Sequence, residues 1–232
     1  MNSKRVLLKL SGESLSDSSS SISEKSLSKV TREVKSVVDK GNVQLAIVIG
    51  AGNIWRGGGK FIERVTADKM GMFATVMNSL ALNDFLIKSG VKSTVFSASG
   101  VSTFVEKFNR EKAVRRLEKG YVVIFAGGTG NPFFTTDTAS ALRAAEINAD
   151  ILLKATQVDG VYNTDPKKDK NAVKYGVLTF QEALDKHLAI MDAEAFSLCM
   201  QSGISIIVFD FYKEGNLQKV ISGEKIGTRV EE

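Results

Sequence analysis

Apolar positions along this chain alternate between short continuous runs and stripes spaced three and four residues apart. The runs over Arg5 to Leu10, Val43 to Ile49, Lys92 to Ser97, Tyr121 to Phe125, Asp150 to Leu153 and Ile204 to Phe209 predict strands. Between and after them, helical spacing predicts helices over Lys25 to Lys40, Ala67 to Lys88, Arg110 to Lys119, Thr138 to Asn148, Thr179 to Lys186, Asp192 to Ser202 and Gly215 to Ile221. Strands such as Ala46-Ile47-Val48-Ile49 have no polar face and need cover on both sides. Alternation of such strands with helices predicts an α/β fold, a three-layer αβα sandwich with a mostly parallel central sheet. The helix from Ala67 carries an apolar stripe at 70, 73, 74, 77, 80, 81 and 85, which reads as core or subunit contact. Ser16 to Ser23 is the one low-complexity segment, too short for a domain linker, and reads as a mobile loop between the first strand and first helix.

Composition narrows the class. A length of 232 residues with 43% hydrophobic content suits one large domain, expected here over residues 1–232. The net charge of +5 is modest and scattered, so it does not imply nucleic acid. Cys199 is the sole cysteine, which excludes an internal disulfide and fits helix packing in a reducing compartment. The longest apolar runs are five or six residues, so no membrane span is expected and a soluble cytoplasmic protein is the default. His187, the sole histidine, falls in a predicted helix and reads as a surface or satisfied residue; histidine triads and multi-histidine metal sites are excluded. Lysine, arginine, aspartate, threonine and backbone amides remain, an inventory suited to phosphate ligands.

Four glycine-bearing loops each begin at the end of a predicted strand, where open parallel sheets bind ligands. They start at Lys9-Leu10-Ser11-Gly12-Glu13, at Gly50-Ala51-Gly52-Asn53-Ile54-Trp55-Arg56-Gly57-Gly58-Gly59, at Gly127, and at Lys154-Ala155-Thr156 running to Asp165-Pro166. Neither a Walker A loop nor a dinucleotide fingerprint is present: Gly59-Lys60 is followed by Phe61, and Trp55 stands where a third glycine belongs. Within the third loop, Thr129 to Asp137 combines Gly130, Asn131, Pro132, the pair Phe133-Phe134 and three threonines. It reads either as a binding loop for a flat, oxygen-rich ligand or as a turn over core phenylalanines with Thr136 or Asp137 capping a helix. Lys9 and Lys154 border buried sheet and need compensating partners, ligand phosphates or a nearby aspartate. Arg56, flanked by glycines and Trp55, fits a bidentate phosphate clamp. Asp68, Asp137, Asp165 and Asp192 each also read as helix-start or turn residues, and Tyr162 as packing.

These residues together resemble the bacterial uridylate kinases of the amino acid kinase superfamily. The resemblance rests on Leu8-Lys9-Leu10-Ser11-Gly12-Glu13, Gly52-Asn53 with Arg56-Gly57, Asp68-Lys69-Met70-Gly71-Met72 with Ala74-Thr75-Val76-Met77-Asn78, Gly128 to Asp137, Leu153-Lys154-Ala155-Thr156 with Val158-Asp159-Gly160-Val161, and Met191-Asp192. It implies the amino acid kinase fold and ATP:UMP phosphotransfer giving UDP in pyrimidine biosynthesis, with Mg2+ accompanying ATP and no tightly held prosthetic group. Lys9, Leu10, Ser11, Gly12, Gly52 and Arg56 would then meet the ATP phosphates, and Thr156, Tyr162 and Asp165 its adenine and ribose. Ala51, Asp68, Thr129, Gly130, Asn131, Pro132, Phe133, Phe134, Thr135 and Thr136 would hold UMP. Lys9, Arg56, Asp137, Asp192 and Lys154 form the implied catalytic set, without a protein-held metal. A homohexamer, with UTP as candidate feedback inhibitor, and no membrane or nucleic-acid partner, completes the implied picture. Alternatives from other classes are a uridine-nucleotide sensor without turnover and a kinase of carboxylates or carbamate; the Phe-Phe-Thr-Thr-Asp run argues against the latter.

Three positions depart from the pattern common among those kinases. Ala51 replaces a glycine, Gln157 replaces a lysine, and Asp17 to Ile22 replaces a glycine-rich segment linked to GTP activation. GTP activation is therefore not carried over.

Overall fold

A computed structural model describes residues 3–56, 61–98 and 103–232. Gly57, Gly58 and Gly59 of the second loop lie outside the described residues.

The strands are β1 (Lys4–Leu10), β2 (Val43–Ile49), β3 (Ser93–Ser97), β4 (Glu106–Lys107), β5 (Val122–Ala126), β6 (Ile151–Thr156), β7 (Val177–Thr179), β8 (Ser205–Asp210) and β9 (Thr228–Glu231). The helices are α1 (Glu24–Val38), α2 (Arg64–Lys88), α3 (Arg110–Glu118), α4 (Thr136–Glu146), α5 (Phe180–Asp185), α6 (Ala193–Gln201) and α7 (Asn216–Ser222), with a 3-10 turn at Gly12–Leu15. One sheet runs in the order β4-β3-β5-β2-β1-β6-β8-β9-β7, parallel throughout except where β9 meets β8. Strand order reverses at β1: the chain builds β2, β3 and β5 to one side, then crosses to β6 and β8 on the other. The loops leaving β1, β2, β5 and β6 therefore converge at one edge around a reversal point, the place such sheets leave a crevice.

Alternation of side chains across the sheet divides the core into two layers. Leu8, Ile47, Ile124 and Leu153 face α1, α2 and α7. Leu7, Ala46, Val48, Val123 and Leu152 face α3, α4, α5 and α6. The predicted αβα sandwich and its predicted strands and helices are all present. Three short strands, β4, β7 and β9, escape the sequence pattern because two to four residues cannot display a period. Two boundaries matter for function. β1 continues through Leu10 and β6 through Thr156, so Lys9 and Lys154 are strand residues, not loop residues.

α2 is long and apolar enough to cross a membrane by length and hydropathy alone, a test that the core helix of a soluble protein also passes. In this fold it packs on the sheet through Val76, Leu82 and Leu86 and leaves Phe73, Met77, Leu80 and Ile87 exposed on its outer side. The serine-rich segment is built as a turn. Asp17 Oδ1 accepts from the Ser19 and Ser20 amides at 2.8 and 3.0 Å and from Ser19 Oγ at 2.7 Å, and Oδ2 accepts from Ser23 Oγ. His187 follows α5 in the left-handed region at φ 52° instead of lying inside a helix.

Candidate active site

Lys9 and Lys154 are register partners on the adjacent parallel strands β1 and β6. Both share the sheet face of Leu7 and Leu152, which α4 covers, so their side chains meet the first turn of that helix. There Asp137 receives Lys9 Nζ at 2.9 Å on Oδ1 and Lys154 Nζ at 2.7 Å on Oδ2. Lys154 Nζ also donates to the Ile190 carbonyl at 2.6 Å. Burial pushes the Asp137 carboxyl upward, but the two ammonium charges outweigh it and hold it below its ordinary value. Burial, reinforced by the Lys9 charge and opposed by Asp137, pushes the Lys154 ammonium below its ordinary value. One carboxylate between two ammonium groups leaves the cluster net positive.

The cap of α4 is tied to α6 through Asp192. Thr135 caps α4 reciprocally with Thr138. Asp192 Oδ2 accepts from Thr138 Oγ1 at 3.0 Å and from Thr135 Oγ1, while Oδ1 caps α6 by accepting from the Ala195 amide at 2.8 Å. The helix-start reading of Asp192 thus holds. Asp137 instead spends its carboxylate on the two lysines, although it opens α4.

The first and second loops touch backbone to backbone. The Gly50 amide donates to the Leu10 carbonyl at 2.9 Å. A Cβ at Gly12 would lie 2.3 Å from Asn53 Oδ1, 2.7 Å from the Gly50 carbonyl and 2.9 Å from the Gly52 amide, so only glycine fits there. Ser11 caps the 3-10 turn through Oγ, accepting from the Glu13 amide at 3.3 Å. Arg56 pairs with the Glu13 carboxylate and donates from Nε to the Gly52 carbonyl at 3.3 Å, its side chain 74% exposed.

Beside these loops lies a cleft of about 390 Å³ between α2 and the third loop. Of the residues the resemblance assigns to the acceptor, Ala51, Asp68, Thr129, Asn131, Phe134, Thr135 and Thr136 line it, as do Gly52 and Arg56. Gly130, Pro132 and Phe133 do not line it. Phe133, at φ 73°, turns its amide to Asp68 Oδ2 at 2.7 Å while Arg64 holds the same carboxylate at 2.8 and 2.9 Å. Burial raises the Asp68 carboxyl, yet the Phe133 amide and Arg64 together bring it below its ordinary value. Asp68 is therefore a loop anchor and not the helix-start charge expected from sequence, because α2 begins at Arg64 and its first turn holds no acidic residue. Sequence reasoning missed Arg64, Gly71, Met72 and Thr75 in this cleft. Arg64 had a signal, its spacing of four from Asp68.

A second cleft of about 460 Å³ opens beside β6. Thr156, Tyr162 and Asp165 line it, with Lys154 and Ile190 among the other walls. The Tyr162 hydroxyl donates to Asp159 at 2.6 Å, which raises the phenol above its ordinary value. Asp165 accepts from the Lys167 amide at 2.9 Å, the turn role expected before Pro166. Lys186 and His187 also line this cleft, both unforeseen because they follow α5, far from any glycine loop. Lys9, Leu10, Ser11 and Gly12 line neither cleft, and Leu10 and Gly12 are buried. Lys154 lines the second cleft, and Asp137, which like Lys9 lines neither, follows Thr136 of the first. A net positive cluster beside two clefts can help bring two anions together.

Comparison with known proteins agrees with this arrangement. The profile of the Amino acid kinase family matches residues 4–210. The fold is similar to UMP kinase from Bacillus anthracis, at TM-score 0.95 and 38% identity over 100% of this chain and 97% of that one. UMP kinase from Ureaplasma parvum gives TM-score 0.93 and 36% identity over 100% of both chains. Uridylate kinase from Archaeoglobus fulgidus gives 0.70 and 27% over 97% of this chain and 99% of the other. With the family profile matching almost from end to end and both clefts at the carboxyl edge of its sheet, the chain belongs to the amino acid kinase family.

Proposed function

We propose that the chain transfers the γ-phosphate of ATP to UMP, giving UDP and ADP, and that residues 1–232 form one domain for this reaction. The observation that carries this reading is the Lys9–Asp137–Lys154 cluster beside two clefts, in a chain whose full-length structural relatives are named UMP kinases. UMP would occupy the cleft between α2 and the third loop, and ATP the cleft beside β6, its phosphates reaching the backbone at Ser11 and Gly12.

The chemistry follows from charge. The second pKa of a phosphate monoester is about 6, so UMP is largely dianionic near neutral pH and attacks without a general base. A UMP phosphate oxygen forms a bond to the γ-phosphorus while the bond to the bridging β,γ-oxygen breaks, leaving ADP. The obstacle is repulsion between two anions held in line, and fixed cations and amides oppose it. Lys9 and Lys154 supply charge at the centre, Asp137 orients them, and Arg56, released from Glu13, clamps phosphate oxygens at the junction. Asp192 keeps the threonine cap of α4 in place. Tyr162, kept protonated by Asp159, and Thr156 and Asp165 face the base and ribose of ATP, while Asp68 exchanges part of its present bonding for the UMP ribose.

Among the described residues no group of three or more His, Cys, Asp or Glu side chains could hold a metal. Mg2+ in this reading is part of the ATP substrate, bound by phosphate oxygens, and neutralises phosphate charge there. The exposed apolar side of α2 supports assembly into a homohexamer, since such a face is normally covered. The same reading places the protein in the cytoplasm, upstream of UTP and CTP, with UTP as feedback inhibitor. The experiment that tests it measures ADP and phosphorylated product from ATP with UMP, CMP, dTMP, a carboxylate (acetylglutamate) and carbamate in turn, each with and without UTP or GTP. Turnover confined to UMP, giving UDP, is the expected result; turnover of the carboxylate or carbamate in its place would overturn it.

A further inference from the structure

We infer that Asn78 is a positioning residue for the phosphoryl transfer proposed above, acting through Asn53 to fix the two glycine loops against each other. Asn78 lies on α2 with its side chain fully buried, where an amide is unfavourable unless its donors and acceptor are all used. They are all used. Its Nδ2 donates to the Gly50 carbonyl and to Asn53 Oδ1, each at 2.8 Å, and its Oδ1 accepts from Asn53 Nδ2 at 2.9 Å. Asn53 Nδ2 also donates to the Ser21 carbonyl at 2.6 Å, so the amide pair ties α2, the second loop and the serine-rich turn together.

Asn53 Oδ1 lies where a Gly12 Cβ would stand, so the pair also sets how closely the first loop approaches the second. Asn78 lines neither cleft and is fully buried, so it has no surface to offer a substrate. An apolar side chain would fill the core at position 78 without any polar requirement, so packing does not explain the amide. What the amide does is hold the Gly50 carbonyl, and through Asn53 the chain that carries Arg56 three residues later.

The inference rests on the phosphotransfer reading, and the test separates the two. The variants are Asn78→Leu, which keeps the branched shape without the amide, and Asn53→Ala, which breaks the same pair from the loop side. Each is folded as judged by thermal melting, then assayed at saturating ATP and UMP, alone and combined with Arg56→Ala. Displacing the loops by a fraction of an ångström to an ångström is expected to lower kcat by about 10- to 100-fold. KM for UMP should change less than kcat, because the third loop and Asp68, which supply much of the cleft lining, are untouched. In the Arg56→Ala background the same change should cost little more, since both act on one element. A folded Asn78→Leu protein with wild-type kcat, or a loss that multiplies fully onto Arg56→Ala, would overturn the inference alone. A wild-type protein that forms no UDP would overturn the phosphotransfer reading and this inference together.

Discussion

Lys9 and Lys154, separated by most of the chain, stand side by side in register on β1 and β6 and share the carboxylate of Asp137. Their mutual repulsion is offset chiefly by that aspartate, whose removal would leave two largely buried ammonium groups facing each other.

Asp137→Asn is therefore expected to destabilise the fold by roughly 3 kcal/mol, read as a fall in the denaturant midpoint at neutral pH. The pH dependence has a definite sign. Because the folded-state pKa of Asp137 is depressed below its ordinary value of 3.8, the unfolded chain takes up the proton first on acidification. Its contribution is complete above that value and is lost as pH falls through the folded-state pKa. The wild type and Asp137→Asn should thus converge in stability at acid pH; a gap unchanged down to the acid limit would refute the pairing.

Arg56 is exposed and its partner Glu13 lies at the surface, so the pair contributes little to stability. Arg56→Ala should leave the melting temperature within about a degree of wild type and lower kcat/KM by about 100-fold, the loss typical of one transition-state contact. Unchanged kcat/KM would remove Arg56 from the reaction.

Gly12→Ala pushes a methyl group into the Gly50 carbonyl and the Gly52 amide, atoms of the backbone that cannot rotate away. The expected effect is a loss of about 1 to 3 kcal/mol together with reduced turnover. An alanine variant as stable and active as wild type would show that the two loops are not in contact.

Cys199 is buried on α6, and burial pushes its thiol up to about 12, so the nucleophilic thiolate is scarce at neutral pH. Alkylation by iodoacetamide should be slow in the native protein and fast after denaturation. Rapid native labelling would contradict the packing of α6 against the sheet.

Much of this was legible locally. The strand ends and glycine loops announce themselves within a few residues, and the need of Lys9 and Lys154 for partners follows from charge beside buried sheet. Which aspartate answers them was not legible, because it depends on the β1–β6 register and on the face that α4 covers. The pairing of Phe133 with Asp68 across 65 residues was hidden for the same reason. Asn78 did leave a signal: it falls four residues after Ala74 and three before Ala81, a polar residue on an apolar stripe. The short strands β7 and β9, at three and four residues, left none.

The most direct measurement is single-turnover transfer of the γ-phosphate from labelled ATP to UMP, with enzyme in excess and Lys9→Met as the control. Label should appear in UDP at a rate that Lys9→Met lowers by about 100-fold or more while retaining a cooperative thermal transition. Binding of both nucleotides by the wild type without label in UDP would mark a sensor instead of a kinase and contradict the role given to the Lys9–Asp137–Lys154 cluster.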